Sequence, residues 1–289
     1  MTSKGLEALH IDFNQFNMRP LIKNKIVLSS MHTFNKTLLS IQKVKKDYKK
    51  ELVQGRIEQT RADEKFWYAV NDKAASLGIG TVGFAPVDEN VMFVRDHVGN
   101  IEGLYPNGIV LGMEMDFERI NKAPEPEAGV EAMEIYMKLG TATNILADFI
   151  RSQGHRAIAC HPLGGPILFP VMAVRANMGV LGRHGLLITK EYGPRLRLSM
   201  IATTASPLPE NAQSSTRIEE FCKKCGKCIR SCPVGAIREV PLQNKVFAVA
   251  SCVDYKKCMP YFYEHDGCSV CIKACPFNQK GYERIIGNC

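Results

Sequence analysis

Ten of the eleven cysteines fall between Cys222 and the end of the chain, and their spacing carries the chemistry. Cys222, Cys225 and Cys228 recur every third residue; Cys232 comes four residues later and is followed by Pro233. Cys268, Cys271, Cys275 and Pro276 repeat the pattern in shortened form. Three closely spaced thiolates can wrap one corner of a 4Fe–4S cubane, while the fourth cysteine before the proline points away to a second cubane. In that interlaced arrangement Cys222, Cys225, Cys228 and Cys275 hold cluster 1, and Cys232, Cys268, Cys271 and one further thiolate hold cluster 2. Zinc normally takes two separated CxxC pairs instead. The eighth ligand is Cys258 or Cys252. Cys258 is preferred, because Tyr261, Phe262 and Tyr263 between it and Cys268 can shield a cluster from water. Cys160 and Cys289 have no ligand spacing and read as structural or incidental.

The rest of the composition narrows the setting. Met1 to Phe16 contains Lys4, Glu7, His10 and Asp12 and has no apolar signal core, so a cytoplasmic protein with reduced cysteines is expected. The longest charge-free run, 157–174, is interrupted by Pro162, Pro166 and Pro170, so no membrane span is expected. The net charge is +8, from 37 Lys+Arg and 29 Asp+Glu. Residues 1–50 hold ten of the basic and three of the acidic residues, which leaves 27 − 26 = +1 for the remainder.

Elements that must position this chemistry follow from periodicity. A lysine-rich amphipathic helix is predicted over 35–53, a second over 63–77 ending at Gly78, and a long third over 129–153 ending at Gly154. Strands are predicted at 79–86, 108–115, 156–160, 185–190 and 195–203, with a connecting loop over 205–217. The alternation indicates an α/β layer with one main sheet, and the cysteine tail makes the whole an α+β chain. Gly78-x-Gly80-x-x-Gly83 matches a dinucleotide fingerprint only as a string. A helix precedes it and a strand follows, the reverse of the required order. Two clusters conduct electrons, and some 200 residues in front of them imply an electron acceptor, a second cofactor or a substrate site.

The stretch Gly182-Arg-His-Gly-Leu-Leu-Ile-Thr-Lys-Glu-Tyr-Gly-Pro-Arg-Leu-Arg-Leu-Ser-Met-Ile-Ala-Thr, followed by the double cysteine run, closely resembles reductive dehalogenases and their relatives, the epoxyqueuosine reductases. Val110–Asp116, Val82–Pro86 and Lys257-Cys258 before Tyr261-Phe262 fit the same family, and the last match also favours Cys258. The resemblance covers roughly 65–280. Charge and periodicity lead to a basic helical extension over 1–60, and the resemblance implies a nitroreductase-like α/β cobalamin and substrate domain over 61–210 and a bacterial-ferredoxin-like two-cluster module over 211–289. It further implies a base-off corrinoid without a protein ligand beneath cobalt, reduced through the clusters and lined by Met178, Gly179, Leu181, Gly182, Arg183, His184, Gly185, Leu186, Leu187 and Thr189. No Asp-x-His-x-x-Gly string occurs, in keeping with that ligation.

The catalytic acid departs from the family pattern. Where related dehalogenases place a tyrosine after the glycine that ends the long helix, this chain has His155 after Gly154. Residues 157–174 also lack the aspartate of epoxyqueuosine reductases. His155 or His161 is the expected proton donor, and Arg156, Arg175 and Arg183 are candidate anion holders. Three functions follow as expectations. The first is a cobalamin-dependent reductase of a small substrate, an organohalide by resemblance, fed by an external low-potential electron donor. The second is an epoxyqueuosine-type tRNA nucleoside reductase, for which the basic first 50 residues could contact phosphates. The third is a non-catalytic cobalamin or electron carrier.

Overall fold

The computed structural model describes residues 57–88, 105–163, 167–212, 216–244, 249–265 and 267–287. The basic helix expected over 35–53 and Cys289 lie outside them. The first part comprises β1 (Thr60–Arg61), α1 (Glu64–Ser76), β2 (Thr81–Pro86), β3 (Asn107–Glu114), α2 (Phe117–Ile120), α3 (Pro126–Ser152), β4 (Ala157–Cys160), α4 (Phe169–Arg175), β5 (Val180–Leu181), β6 (Leu187–Ile188), β7 (Leu196–Thr203) and β8 (Ala205–Ser206). The cysteine-rich part comprises α5 (Thr216–Cys225), α6 (Lys227–Ser231), β9 (Ile237–Asn244), β10 (Val249–Val253), α7 (Tyr255–Glu264), α8 (Val270–Ala274), α9 (Pro276–Gln279) and α10 (Gly281–Ile286).

Local chemistry sets the helix limits. The Asp63 carboxylate accepts from the Phe66 N–H at 2.8 Å and caps α1, which stops at Gly78 with φ +77°. Pro126 opens α3 at a position where its missing N–H costs nothing, and Gly154 closes it with φ +88°.

Four strands form the main sheet in the order β2-β3-β7-β4, and every pairing is antiparallel. The strand–helix alternation suggested a layered α/β sheet. Here β7 lies between β3 and β4 and runs against both, so the β3–α3–β4 crossover spans an inserted strand. The pleat then sorts residues to two faces. Ile109, Leu111, Ala157, Ala159 and Ile201 meet α1 and α3 on one face. Val110, Ile158, Cys160, Leu198, Met200 and Ala202 meet α4 on the other. Cys160 is therefore a core residue, as its lack of ligand spacing suggested.

Two expectations need correcting. The strand expected over 185–190 is only Leu187–Ile188, paired with Val180–Leu181. A tight turn consumes the rest: Gly182 N–H donates to the Leu186 carbonyl, and Gly185, at φ +76°, donates to the Gly182 carbonyl. Within 205–217, Ala205 and Ser206 are not loop but pair in parallel with Thr60 and Arg61, and α5 begins at Thr216.

The cysteine-rich part docks on one end of the sheet. Arg195, just before β7, donates to the Asn278 side chain at 2.9 Å and to Glu114 at 2.7 Å. The Lys273 ammonium donates to the Ala123 carbonyl at 2.7 Å, and Gly193 lies against the Phe277 backbone so closely that a Cβ would meet Phe277 O at 2.8 Å. Among the described residues no helix is long and apolar enough to cross a membrane.

Candidate functional site

The two cysteine runs share one backbone design. Gly226 in Cys225-Gly-Lys-Cys228 and Ser269 in Cys268-Ser-Val-Cys271 both take left-handed conformations, at φ 59° and 54°, and each begins a five-residue helix. Each helix ends at an extended cysteine, Cys232 or Cys275, whose proline turns the chain away. A shared backbone thus turns the last thiol of each run away from the helix before it.

Cys222, Cys225, Cys228 and Cys275 ring one cavity, together with His184, Ile188, Phe221, Pro276 and Phe277. Among the described residues no three His, Cys, Asp or Glu side chains converge to hold a single ion. Thiols that stand apart around a space suit a polynuclear group, in which each iron takes one thiolate. Electrostatic neighbours separate the same two sets. Burial raises the Cys275 thiol to about 12, with Cys222 and Cys228 adding to the rise. Burial raises Cys271 to about 12 and Cys258 to about 11; the cysteines bearing on Cys258 are Cys268 and Cys232. Cys271 feels Cys228 as well as Cys268, Cys258 and Cys232, so the two sets adjoin.

Cys252 stands differently. It is buried with Cys228 and Ile237, and the cysteine that bears on it is Cys222. Free thiols this buried stay protonated at neutral pH, so thiolates there need the charge of bound iron. Backbone donors assist: Ala236 N–H reaches the Cys232 sulfur at 3.2 Å, Arg183 N–H faces Cys222, and Phe277 and Asn278 N–H face Cys275.

The glycine loop expected to line a corrinoid reaches the first cysteine set. Arg183 donates to the Lys223 carbonyl at 2.8 Å. His184 is 5% exposed and lines the cavity of Cys222, Cys225, Cys228 and Cys275. Met178 packs against Gly83, Leu187 enters the core beside α4, and the Thr189 hydroxyl accepts from the Tyr192 N–H. Gly179 has no space for a side chain, because a Cβ would lie 3.0 Å from the Ile188 carbonyl carbon.

His155 and His161 occupy opposite ends of β4, about 20 Å apart at the rise of an extended strand. His155 is locked at the end far from the cysteines: its Nδ1 is 2.6 Å from the Thr60 hydroxyl and its ring lies 4.2 Å from that of Phe66. Burial lowers its pKa, partly opposed by Asp63. His161 follows Cys160 at the docking end. Its Nδ1 accepts from the Leu163 N–H at 3.1 Å, and its buried Nε2 has no protein partner. Burial lowers its pKa to about 4, so it is a neutral imidazole.

Two residues that sequence reasoning passed over sit beside His161. Tyr136, Gly140 and Thr143 form one stripe of α3, and Gly140 makes room for the imidazole. Thr143 and Ser199 hydroxyls pair at 2.7 Å, which places Arg197, two residues earlier on β7, under Tyr136. Arg197 Nη1 donates to the Tyr136 hydroxyl at 3.2 Å, its guanidinium lies 4.7 Å from the ring centre, and its Nε is buried without a partner. The available signal was an arginine alternating with Leu196 and Leu198 in a buried strand. The arginines expected to hold anions have protein partners: Arg183 donates to the Lys223 carbonyl, Arg175 pairs with Asp88 at 2.8 Å, and Arg156 stacks over Tyr105 at 5.1 Å.

Residues 216–238 match the 4Fe-4S binding domain family. A tetrachloroethene reductive dehalogenase of Sulfurospirillum multivorans is 35% identical over 197 residues, covering 63% of this chain and 38% of that protein. An epoxyqueuosine reductase of Synechocystis is 31% identical over 124 residues, 40% of this chain and 41% of that protein. The chain thus spans about two fifths of these relatives. In fold it resembles a reductive dehalogenase whose structure suggests a mechanism for B12-dependent dehalogenation, with a TM-score of 0.70 and 19% identity over 81% of this chain and 36% of that one. An epoxyqueuosine reductase crystal structure superposes with a TM-score of 0.50 and 16% identity, over 75% of this chain and 66% of that one. The resemblance to reductive dehalogenases and epoxyqueuosine reductases read from the motifs therefore holds in both sequence and fold.

Proposed function

We propose that the chain is a cobalamin-dependent iron–sulfur oxidoreductase of the reductive dehalogenase type. In this reading residues 61–210 form a nitroreductase-like domain and 211–289 a ferredoxin-like module with two [4Fe–4S] clusters. The observation that carries it is the pair of adjoining four-cysteine sets docked at the sheet end where Tyr136, His161 and Arg197 gather. Cys222, Cys225, Cys228 and Cys275 fit cluster 1 by ringing one cavity. Cys232, Cys258, Cys268 and Cys271 fit cluster 2 by their mutual influence. The unpartnered His161 Nε2 and Arg197 Nε fit a large polar ligand seated near that end.

Held there, a corrinoid would supply a low-potential metal centre able to reduce an electrophilic substrate. The chain's own residues do the rest. The adjoining thiolate sets would hold the two clusters next to each other, and those clusters would relay electrons from an external donor. Because Tyr136 oxygen accepts from Arg197, its own O–H is free to donate to a substrate, and the guanidinium steadies the charge left behind. Neutral His161 polarises or positions the same group, and burial of the surrounding apolar residues excludes water. Thiolates held as iron ligands suit the reducing cytoplasm.

The test is an anaerobic assay of protein reconstituted with iron, sulfide and cobalamin and driven by a low-potential chemical reductant. Halide release from tetrachloroethene or 3-bromo-4-hydroxybenzoate is expected. Conversion of an epoxyqueuosine-bearing tRNA stem loop without halide release would move the substrate class to a modified nucleoside. Corrinoid binding with neither turnover would leave a carrier.

A further inference from the structure

His184 is a built part of the first cysteine cavity, and its geometry is unusually complete. The turn Gly182–Gly185 holds the ring in place. A Cβ on Gly182 would lie 2.6 Å from His184 Cε1 and 3.0 Å from Nδ1, so only glycine leaves space for the imidazole. The Leu186 N–H donates to His184 Nδ1 at 3.2 Å. A ring nitrogen that accepts cannot carry a proton, so the proton of the neutral imidazole sits on Nε2. That Nε2 is buried and has no acceptor in the protein, while the ring lines the cavity of Cys222, Cys225, Cys228 and Cys275. A buried donor without an acceptor costs about 1–3 kcal/mol, and the four sulfurs around the cavity are the acceptors at hand.

We infer that His184 Nε2–H donates a hydrogen bond to a sulfur of cluster 1 and raises its reduction potential above that of the same cluster without the bond. The inference rests on the assignment of cluster 1 to these four cysteines. Electrostatics sets the sign. Reduction adds negative charge to the cluster, and a fixed donor aimed at sulfur stabilises that charge more in the reduced form. His184 is thus a positioning and tuning residue for the electron path; it need not touch substrate.

The experiment uses the full chain reconstituted anaerobically with both clusters and labelled with 15N-histidine. Pulsed EPR of the reduced wild-type protein should show a histidine 15N coupling on one cluster. In His184→Phe, with eight irons retained, that coupling should vanish. The reduction equilibrium of the same cluster should fall at least tenfold, 59 mV for a one-electron couple, while the other cluster is unchanged. His184→Gln, which keeps an N–H donor, should recover part of the shift. An absent 15N coupling in the wild type overturns the inference even if His184→Phe fails to assemble, as does an unchanged potential in an intact variant. A wild-type protein holding fewer than eight irons overturns the two-cluster assignment instead.

Discussion

Replacing Gly140 by alanine probes the contact between α3 and His161 and has a sign that depends on its neighbour. In a helix interior alanine is favoured over glycine by about 1 kcal/mol. Here the new Cβ would lie 2.6 Å from His161 Cδ2 and 2.7 Å from Cε1, and closer still to Nε2. Ordinary carbon contacts begin near 3.5 Å, so the ring must retreat by roughly 1 Å within a packed site. Overpacking of this kind costs about 1–3 kcal/mol, and the net change is a loss of about 0–2 kcal/mol. In a His161→Ala background the obstacle is gone, and the same substitution should stabilise by about 1 kcal/mol. A double-mutant cycle by anaerobic urea unfolding, with equal slopes required across the four proteins, measures the difference. Equal effects of Gly140→Ala in both backgrounds, within about 0.5 kcal/mol, would refute this packing.

Further outcomes follow from the same geometry. Cys258→Ser should lower the iron content toward four per chain and remove one of two EPR signals, whereas Cys252→Ser should keep eight; the reverse pattern would reassign the eighth ligand. Tyr136→Phe should lower kcat by about 10²-fold or more with KM little changed, as loss of a proton donor does. Retention of kcat would return the role to His161. For pH, His161 is held near 4 in the fold against 6.5 when unfolded, so the unfolded chain binds more protons between those values. Stability should fall as pH drops through that window, by about 1 kcal/mol from pH 7 to 5.5. His161→Phe should remove that part of the slope in urea unfolding; an unchanged slope would show that His161 is not held neutral. Asn278→Ala removes partners of both Arg195 and Asn121 and should cost about 1–3 kcal/mol, read as an earlier urea midpoint.

What was legible in the chain was local or periodic. The cysteine spacing, the prolines after Cys232 and Cys275, and the apolar runs of β3 and β7 are short-range patterns, and each maps onto an observed element. Helix ends at Gly78 and Gly154 were readable because their positive φ angles favour glycine. The antiparallel insertion of β7 between β3 and β4 was not readable, since pairing partners are set by long-range register. The same register unites Tyr136, His161 and Arg197, which lie far apart in sequence. The separation of His155 from His161, by contrast, follows from the extended rise of β4 alone. The role of His184 depended on a hydrogen bond to Leu186 and on a cavity built from cysteines some forty to ninety residues away.

The most direct test of the central claim is cofactor stoichiometry with EPR on the anaerobically reconstituted full chain. Eight irons, eight acid-labile sulfides and one tightly retained corrinoid per chain are expected, with a cobalt(II) spectrum lacking nitrogen coupling from an axial base. A chain that holds eight irons but releases all corrinoid on gel filtration would contradict the claim.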